Sequence, residues 1–418
     1  MLREASLRRR QTGAVAIIVA LSLAALIGFA GLVLDLGRLF INKTELQNAA
    51  DACALAAARE LTCSSGPCPA SSVASAQAAG IYVAARHNRD FQSQPVAIAP
   101  ADIKFSTSIA PNSAYLSVGD GALPQSRFVM CTARSEGILP WFMGVLGIGA
   151  QSVSAMAVAS PAPSRTNCAI PVGVCSPNPT PSMTVGEWFG DTFSSGGGVA
   201  GNFNWVEFPS SPPVSDLLKG TGMCDMSLAN QVRDAPALTA AEARAFNSRF
   251  GLYASGTGNP QITDAPPDYT GYAYTSPAFV SGPGSWPAGS NAYNDFLGKR
   301  SAHAPYGSPG VADGNSLTGL AIGNEYDPPT QSGPLTSNGA DRRMVVAPIV
   351  NCGGLSGSST TPILAWACVL LLHPVANTAD PVYFEYRGLA SDTGSPCATS
   401  GTVGGPGSVG PLVPALVQ

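Results

Sequence analysis

From Ala14 to Leu34 the chain runs for 21 residues without a charge, and Ser22 is the single polar side chain within that run. At about 1.5 Å of rise per residue, a helix of this length crosses a hydrocarbon layer roughly 30 Å thick. Everything else must then hang from one membrane helix. Arg3, Arg8, Arg9 and Arg10 precede the run against a single Glu4, whereas Arg38 and Lys43 just after it are balanced by Asp35 and Glu45. An excess of cations marks the cytoplasmic side. The expected topology therefore keeps the N-terminus in the cytoplasm, with Arg8, Arg9 and Arg10 as its determinants, and exports the chain beyond residue 35.

A cleaved signal peptide is the rival reading, because a basic start and an apolar core are both present. The apolar core of a signal peptide is usually about 7 to 15 residues long. This run is longer and passes straight into a helical pattern, so an uncleaved anchor is preferred. Within it, Ala16, Ala20, Ala24 and Gly28 recur every fourth residue and line one face with small side chains, as membrane helices that pack closely do. The alternative, that alanine and glycine are simply common in such helices, stays open. Past the span, Leu39, Leu46, Ala50, Cys53, Ala57 and Leu61 share one side, while Lys43, Glu45, Gln47, Asp51 and Arg59 are polar. A single rod is expected, ended by the Cys-Ser-Ser-Gly-Pro stretch at 63–67.

Four short stretches carry a resemblance. They are Gly13-Ala14-Val15-Ala16, Phe29-Ala30-Gly31-Leu32, Asp35-Leu36-Gly37-Arg38, and Leu46-Gln47-Asn48-Ala49-Ala50-Asp51-Ala52. In this order, behind a basic run, they resemble the N-terminal segment of the TadG-like proteins of the Flp (tight adherence) pilus-assembly system. The resemblance covers roughly one eighth of the chain. It implies a single-pass protein of the bacterial inner membrane whose periplasmic bulk contacts other pilus-assembly or envelope proteins. A prepilin-type cut after Gly13 would suit the layout of pilin precursors, but Ile18 stands where those precursors usually place a glutamate.

Only 11% of residues are charged and the net charge is −4, which removes the electrostatic case for a nucleic-acid partner. The 46 glycines and 36 prolines call for many turns and short strands after the rod. The expected class is α+β. A cytoplasmic segment 1–13 and the span 14–34 lead into a pilin-like unit at 35–160, a β-rich, disulfide-braced domain at 161–391 and a disordered tail at 392–418. In the pilin-like unit a second helix is read over 70–88, and strands over Ile103–Thr107, Tyr115–Val118, Phe128–Ala133 and Val153–Ala159. The apolar stretch 137–147 is too short to span a bilayer and is expected to pack over the sheet, with a membrane-active segment as the alternative. Ser160-Pro161-Ala162-Pro163-Ser164 reads as a linker. Farther on, 202–208 alternates like a half-buried strand, Thr239–Phe250 opens with a Thr239/Glu242 capping box, and 343–350 with 363–372 reads as a core hairpin.

Ten cysteines in an exported chain favour disulfides. The local pairs expected are Cys63 with Cys68 and Cys168 with Cys175; Cys53 is either bridged or a buried thiol, and the remaining pairings stay open. The chain has no Cys-x-x-Cys, and His87, His303 and His373 are isolated, so no metal or other cofactor is expected. No nucleophile elbow, phosphate loop or zincin motif occurs. Asp225-Met226-Ser227 matches two of three positions of a von Willebrand A-type metal motif, and no apolar strand precedes it. Asp264 and Asp268 read as solvated loop acids. Trp188, Phe203, Trp205, Tyr269, Tyr272, Tyr274 and Trp286 read as core aromatics, with a binding surface as the alternative. No catalytic residue is assigned: the chain reads as a structural assembly component rather than an enzyme. An anchored glycan-binding, adhesin-like module and an exported hydrolase are the other classes, and the oligomeric state is open.

Overall fold

A computed structural model describes residues 12–62, 69, 71–122, 124–193, 202–209, 211–274, 292–306, 326–327, 333–375, 377–405 and 407–417. The chain forms two compact units, 1–161 with 414–418, and 162–413. The fold is α+β, a long apolar helix followed by mostly β structure with several disulfides.

In the first unit, α1 (Thr12–Arg59) is one unbroken helix of 48 residues. It contains no proline, and its first half is apolar on every side. Val15 to Phe29 lie exposed, as a segment built for lipid does, whereas Leu46, Ala49, Ala50, Cys53, Ala57 and Leu61 are fully buried. α2 (Ser72–Ala84) packs on that second half. A Cβ at Gly80 would stand 3.0 Å from the Cys53 sulfur, so the small residue sets how closely the helices approach. After the two-residue hairpin β1 (Asn88–Arg89) and β2 (Gln94–Pro95) come β3 (Ile103–Ser106), β4 (Phe128–Ile138) and β5 (Gln151–Thr166). They form an antiparallel sheet in the order β5-β4-β3. Its inward residues meet in register, Val129 with Ala159, Cys131 with Ala157 and Ala133 with Ala155, and pack with the buried side of α1 in one core. Cys53 is bonded to Cys131, tying helix to sheet. The expected strand at Tyr115–Val118 is only a single bridge, Phe105 with Leu116.

The second unit contains β6 (Val172–Cys175), β7 (Trp188–Thr192), β8 (Phe203–Glu207), α3 (Val214–Lys219), β9 (Gln231–Asp234), α4 (Ala240–Asn247), β10 (Tyr253–Ala254) and α5 (Tyr293–Ser301). Then follow β11 (Tyr326–Asp327), α6 (Gly333–Asn338), β12 (Met344–Val350), β13 (Thr360–Leu371), β14 (Pro381–Leu389), β15 (Ala398–Val403) and β16 (Leu412–Leu416), whose last residues belong to the first unit. β12 pairs in parallel with β6, then β6 with β8, β8 with β9, and β9 with the start of β13. The rest of β13 pairs back onto β12, so the hydrogen-bonded path closes on itself. The expected hairpin of 343–350 with 363–372 is this β12–β13 pair. β12 is buried at all seven positions: Val345, Ala347 and Ile349 face one core, and Met344, Val346 and Val350 the other. β8 is likewise buried on both faces rather than half-buried. α4 opens with the expected box, Thr239 N–H donating to Glu242 Oε2 at 2.8 Å.

Three expectations are corrected. The Ser160–Ser164 linker is strand: β5 continues through it, Ser164 N–H donates to Pro411 O and Pro163 O accepts from Gly404 N–H. The described residues of the 392–418 tail are ordered, because β15 and β16 both pair with β5 and Cys397 is bonded to Cys368. Cys168 and Cys175 are not partners; the bonds are Cys168–Cys224 and Cys175–Cys352. Ala169 lies beside Val346 and Cys175 beside Val350 along β12. Four strand residues are about 13 Å, too far for a disulfide to reach. Cys63 and Cys68 lie outside the described residues, as do Arg8, Arg9, Arg10 and Trp286.

Candidate functional site

One face of α1, just past the apolar run, carries Asp35, Arg38, Asn42 and Glu45, at spacings of three, four and three. Such spacing stacks side chains along a helix. All four point at two loops of the first unit. Asp35 is 2% exposed, and its carboxylate accepts three backbone N–H groups, from Trp141 at 2.7 Å, Phe142 at 2.9 Å and Met143 at 2.6 Å. These are the donors at the start of the 3-10 turn Met143–Leu146, which otherwise has no side-chain cap. Burial by itself would raise the Asp35 pKa, but the three N–H donors and nearby Arg38 outweigh it and hold the carboxyl below its ordinary value.

Arg38 reaches the second loop. Its guanidinium grips Asp90 with both arms, Nε to Oδ1 and Nη2 to Oδ2, each at 2.8 Å, and Nη1 donates to Leu139 O at 3.0 Å. The hydrogen bond to Arg38 is the main cause of a lowered Asp90 pKa, with Asn42 adding to it. The same guanidinium lies 4.7 Å from the Trp141 ring centre, and Trp141 stacks on Phe91 at 6.2 Å. Asp90, Phe91 and Gln92 all have left-handed backbone, with φ of 55°, 58° and 62°. Non-glycine residues pay roughly 1–2 kcal/mol each for that conformation. Arg38 holds the first of them, and Glu45 holds the third by accepting from Gln92 N–H at 3.2 Å and from its Nε2 at 2.9 Å. Strain of this kind persists only where the surroundings over-determine it.

Gly31 completes the arrangement, because a Cβ there would fall 2.6 Å from the Phe142 Cβ. Of the 137–147 stretch, Gly137 and Ile138 end β4, and the part from Leu139 on packs along α1 instead of over the sheet as expected. Between the two lies an apolar slot of about 410 Å³ lined by Ala24, Ile27, Gly28, Leu32, Phe142, Met143 and Val145. Two residues of the small stripe, Ala24 and Gly28, thus border this slot, while Ala20 is exposed and the side chain of Ala16 is also exposed. Farther along α1, Gln47 donates to Asp51 at 2.8 Å and to Met156 O at 3.0 Å.

The other candidate residues do not assemble. Asp268 is fully buried rather than solvated, accepting from the backbone N–H groups of Thr270, Arg342 and Arg343. Asp264 accepts from Gln261 N–H, and Asp225 is engaged by Ser227. Phe203, Trp205 and Tyr274 are at most 1% exposed, so they form core and not a binding face. Among the described residues no three His, Cys, Asp or Glu side chains are grouped to hold a metal ion.

Asp35 and Arg38 belong to one of the four motif stretches and Glu45 to the polar side of the rod, whereas nothing local in the sequence marks Asn42, Asp90 or Gln92. The available signal was the polar stripe directly below an apolar span. No curated protein and no solved structure matches the chain. Residues 13–60, the stretch that supplies Gly31, Asp35, Arg38, Asn42 and Glu45, match the family model of Flp pilus-assembly TadE/G-like proteins.

Proposed function

We propose that this protein is a single-pass, membrane-anchored assembly component of a Flp-type pilus or related secretion machinery, structural rather than catalytic. Its N-terminus lies in the cytoplasm, α1 crosses the bacterial inner membrane over residues 14–34, and both units face the periplasm, where they contact other pilus-assembly or envelope proteins.

The observation that carries this reading is that motif and mechanics coincide. Asp35, Arg38, Asn42 and Glu45, all inside the family match, clamp two loops of the first unit to the helix. The orientation is supported by the flanking charge. Arg38 is paired with Asp90, and the sequence places Arg8, Arg9 and Arg10 together before the span. Bridged Cys53, Cys131, Cys168 and Cys175 suit an oxidising compartment.

The test is in-cell photo-crosslinking from exposed Tyr82 and Val185. Adducts with pilus-assembly subunits are expected. Adducts confined to unrelated proteins, or a C-terminal reporter active in the cytoplasm, would refute the proposal.

A further inference from the structure

Four apolar side chains of the 139–148 loop remain largely uncovered in the first unit. Leu139 is 68% exposed, Trp141 55%, Phe142 45% and Val145 91%, and residues 137–150 include no charge. Its position along α1 is fixed by the Asp35 carboxylate and by the Gly31–Phe142 contact. Val145 accordingly borders the slot beside Ala24, Ile27 and Gly28. Those residues stand six to ten positions inside the end of the apolar run at Leu34, which is about 9–15 Å of helix. If the run is in lipid, the loop tip cannot be in water.

Non-helical backbone at that depth must satisfy its polar groups without solvent. The loop does so. Trp141, Phe142 and Met143 donate to Asp35, Val145 N–H donates to Phe142 O, Gly147 N–H to Gly144 O and Ile148 N–H to Met143 O. Trp141, stacked on Phe91 and capped by the Arg38 guanidinium, sits at the level where aromatic and cationic groups gather at a membrane surface.

We infer that residues 139–148 are a second membrane-embedded element, a wedge that enters the periplasmic leaflet beside α1 without crossing it and whose slot is filled by lipid acyl chain. The inference rests on the proposed anchoring of α1. The wedge fixes how far the helix sits in the bilayer, because the Asp35–loop contact sets its depth relative to the span.

The test uses the full chain in phosphatidylethanolamine/phosphatidylglycerol nanodiscs, with a spin label at Val145→Cys, Leu26→Cys or Tyr82→Cys, attached without reductant. Relaxation by oxygen reports lipid exposure and relaxation by a water-soluble nickel chelate reports aqueous exposure. The expected result is an oxygen-to-nickel ratio at position 145 within twofold of that at 26 and several-fold above that at 82. A ratio at 145 equal to that at 82, with 26 still in lipid, overturns the wedge and leaves the anchor standing. An aqueous ratio at 26 overturns the anchor reading and the wedge with it. A label at 145 shielded from both reagents means that protein, such as the helix of a second copy, fills the slot, and overturns lipid as the occupant.

Discussion

Asp35 concentrates three backbone donors on one carboxylate, and its replacement gives the cleanest residue-scale prediction. Asp35→Ala leaves the N–H groups of Trp141, Phe142 and Met143 without their acceptor. Amide exchange at those three positions should accelerate on the order of tenfold or more, with the α1–sheet core unaffected. Because the Asp35 and Asp90 pKa values are lowered, their contribution to stability is full above the ordinary carboxylate pKa and is lost as pH falls through the lowered values. His373 behaves in the same direction for a different reason. Burial pulls it to about 4 from 6.5, partly offset by its bond to Pro374 O, and Nε2 accepts from Tyr383 N–H, which requires the neutral ring. The unfolded chain takes up that proton first, so stability should drain between pH 6.5 and 4, by on the order of 3 kcal/mol. Denaturant titrations of the full chain in detergent at stepped pH check this, and His373→Gln should flatten the slope. At the heart of the second unit, Asp268 is the carboxylate facing buried Arg249, Arg342 and Arg343, whose guanidinium groups are otherwise held by carbonyls such as Leu218 O, Lys219 O and Leu371 O. Asp268→Ala should cost about 3–5 kcal/mol, read as a loss of folded protein at 37 °C. None of this was legible beforehand. The partners of Asp35 lie 106 to 108 residues away, and a loop acid such as Asp268 carries no local mark of burial.

At the scale of elements, α1 divides its labour by side-chain size. Its upper half presents Ile, Leu and Val outward, and its lower half presents alanine to α2 and the sheet, so that backbones approach closely. Both halves were readable, since a charge-free run and a three-four spacing are local patterns. The strand β5 was misread for an equally local reason. Pro161 and Pro163 look like linker residues until it is known that Pro163 offers its carbonyl, not a missing N–H, to Gly404. The helix-to-sheet bond gives the prediction for this scale. A Cys53→Ala, Cys131→Ala double variant removes a bridge between residues 78 apart. It should lower stability by about 2–5 kcal/mol, seen as a fall in the melting temperature, and leave the Asp35 and Arg38 contacts in place.

For the whole molecule, the α+β class and the anchored plan follow from composition and one hydrophobic run, but the strand circuit of the second unit does not. β12 finds β6 across 175 residues of chain in their Val174–Ile349 pairing, and no sequence pattern names such partners. The cysteines share that difficulty. Peptide mapping under non-reducing conditions should return Cys168–Cys224, Cys175–Cys352 and Cys368–Cys397, and no Cys168–Cys175 peptide. The Cys53–Cys131 bond has a mechanical consequence. A tug on β4 is handed directly to the helix at Cys53, and the 77 residues enclosed between the two sulfurs cannot pay out as slack. Under load, the stretch between these two sulfurs should keep its length until the disulfide is reduced.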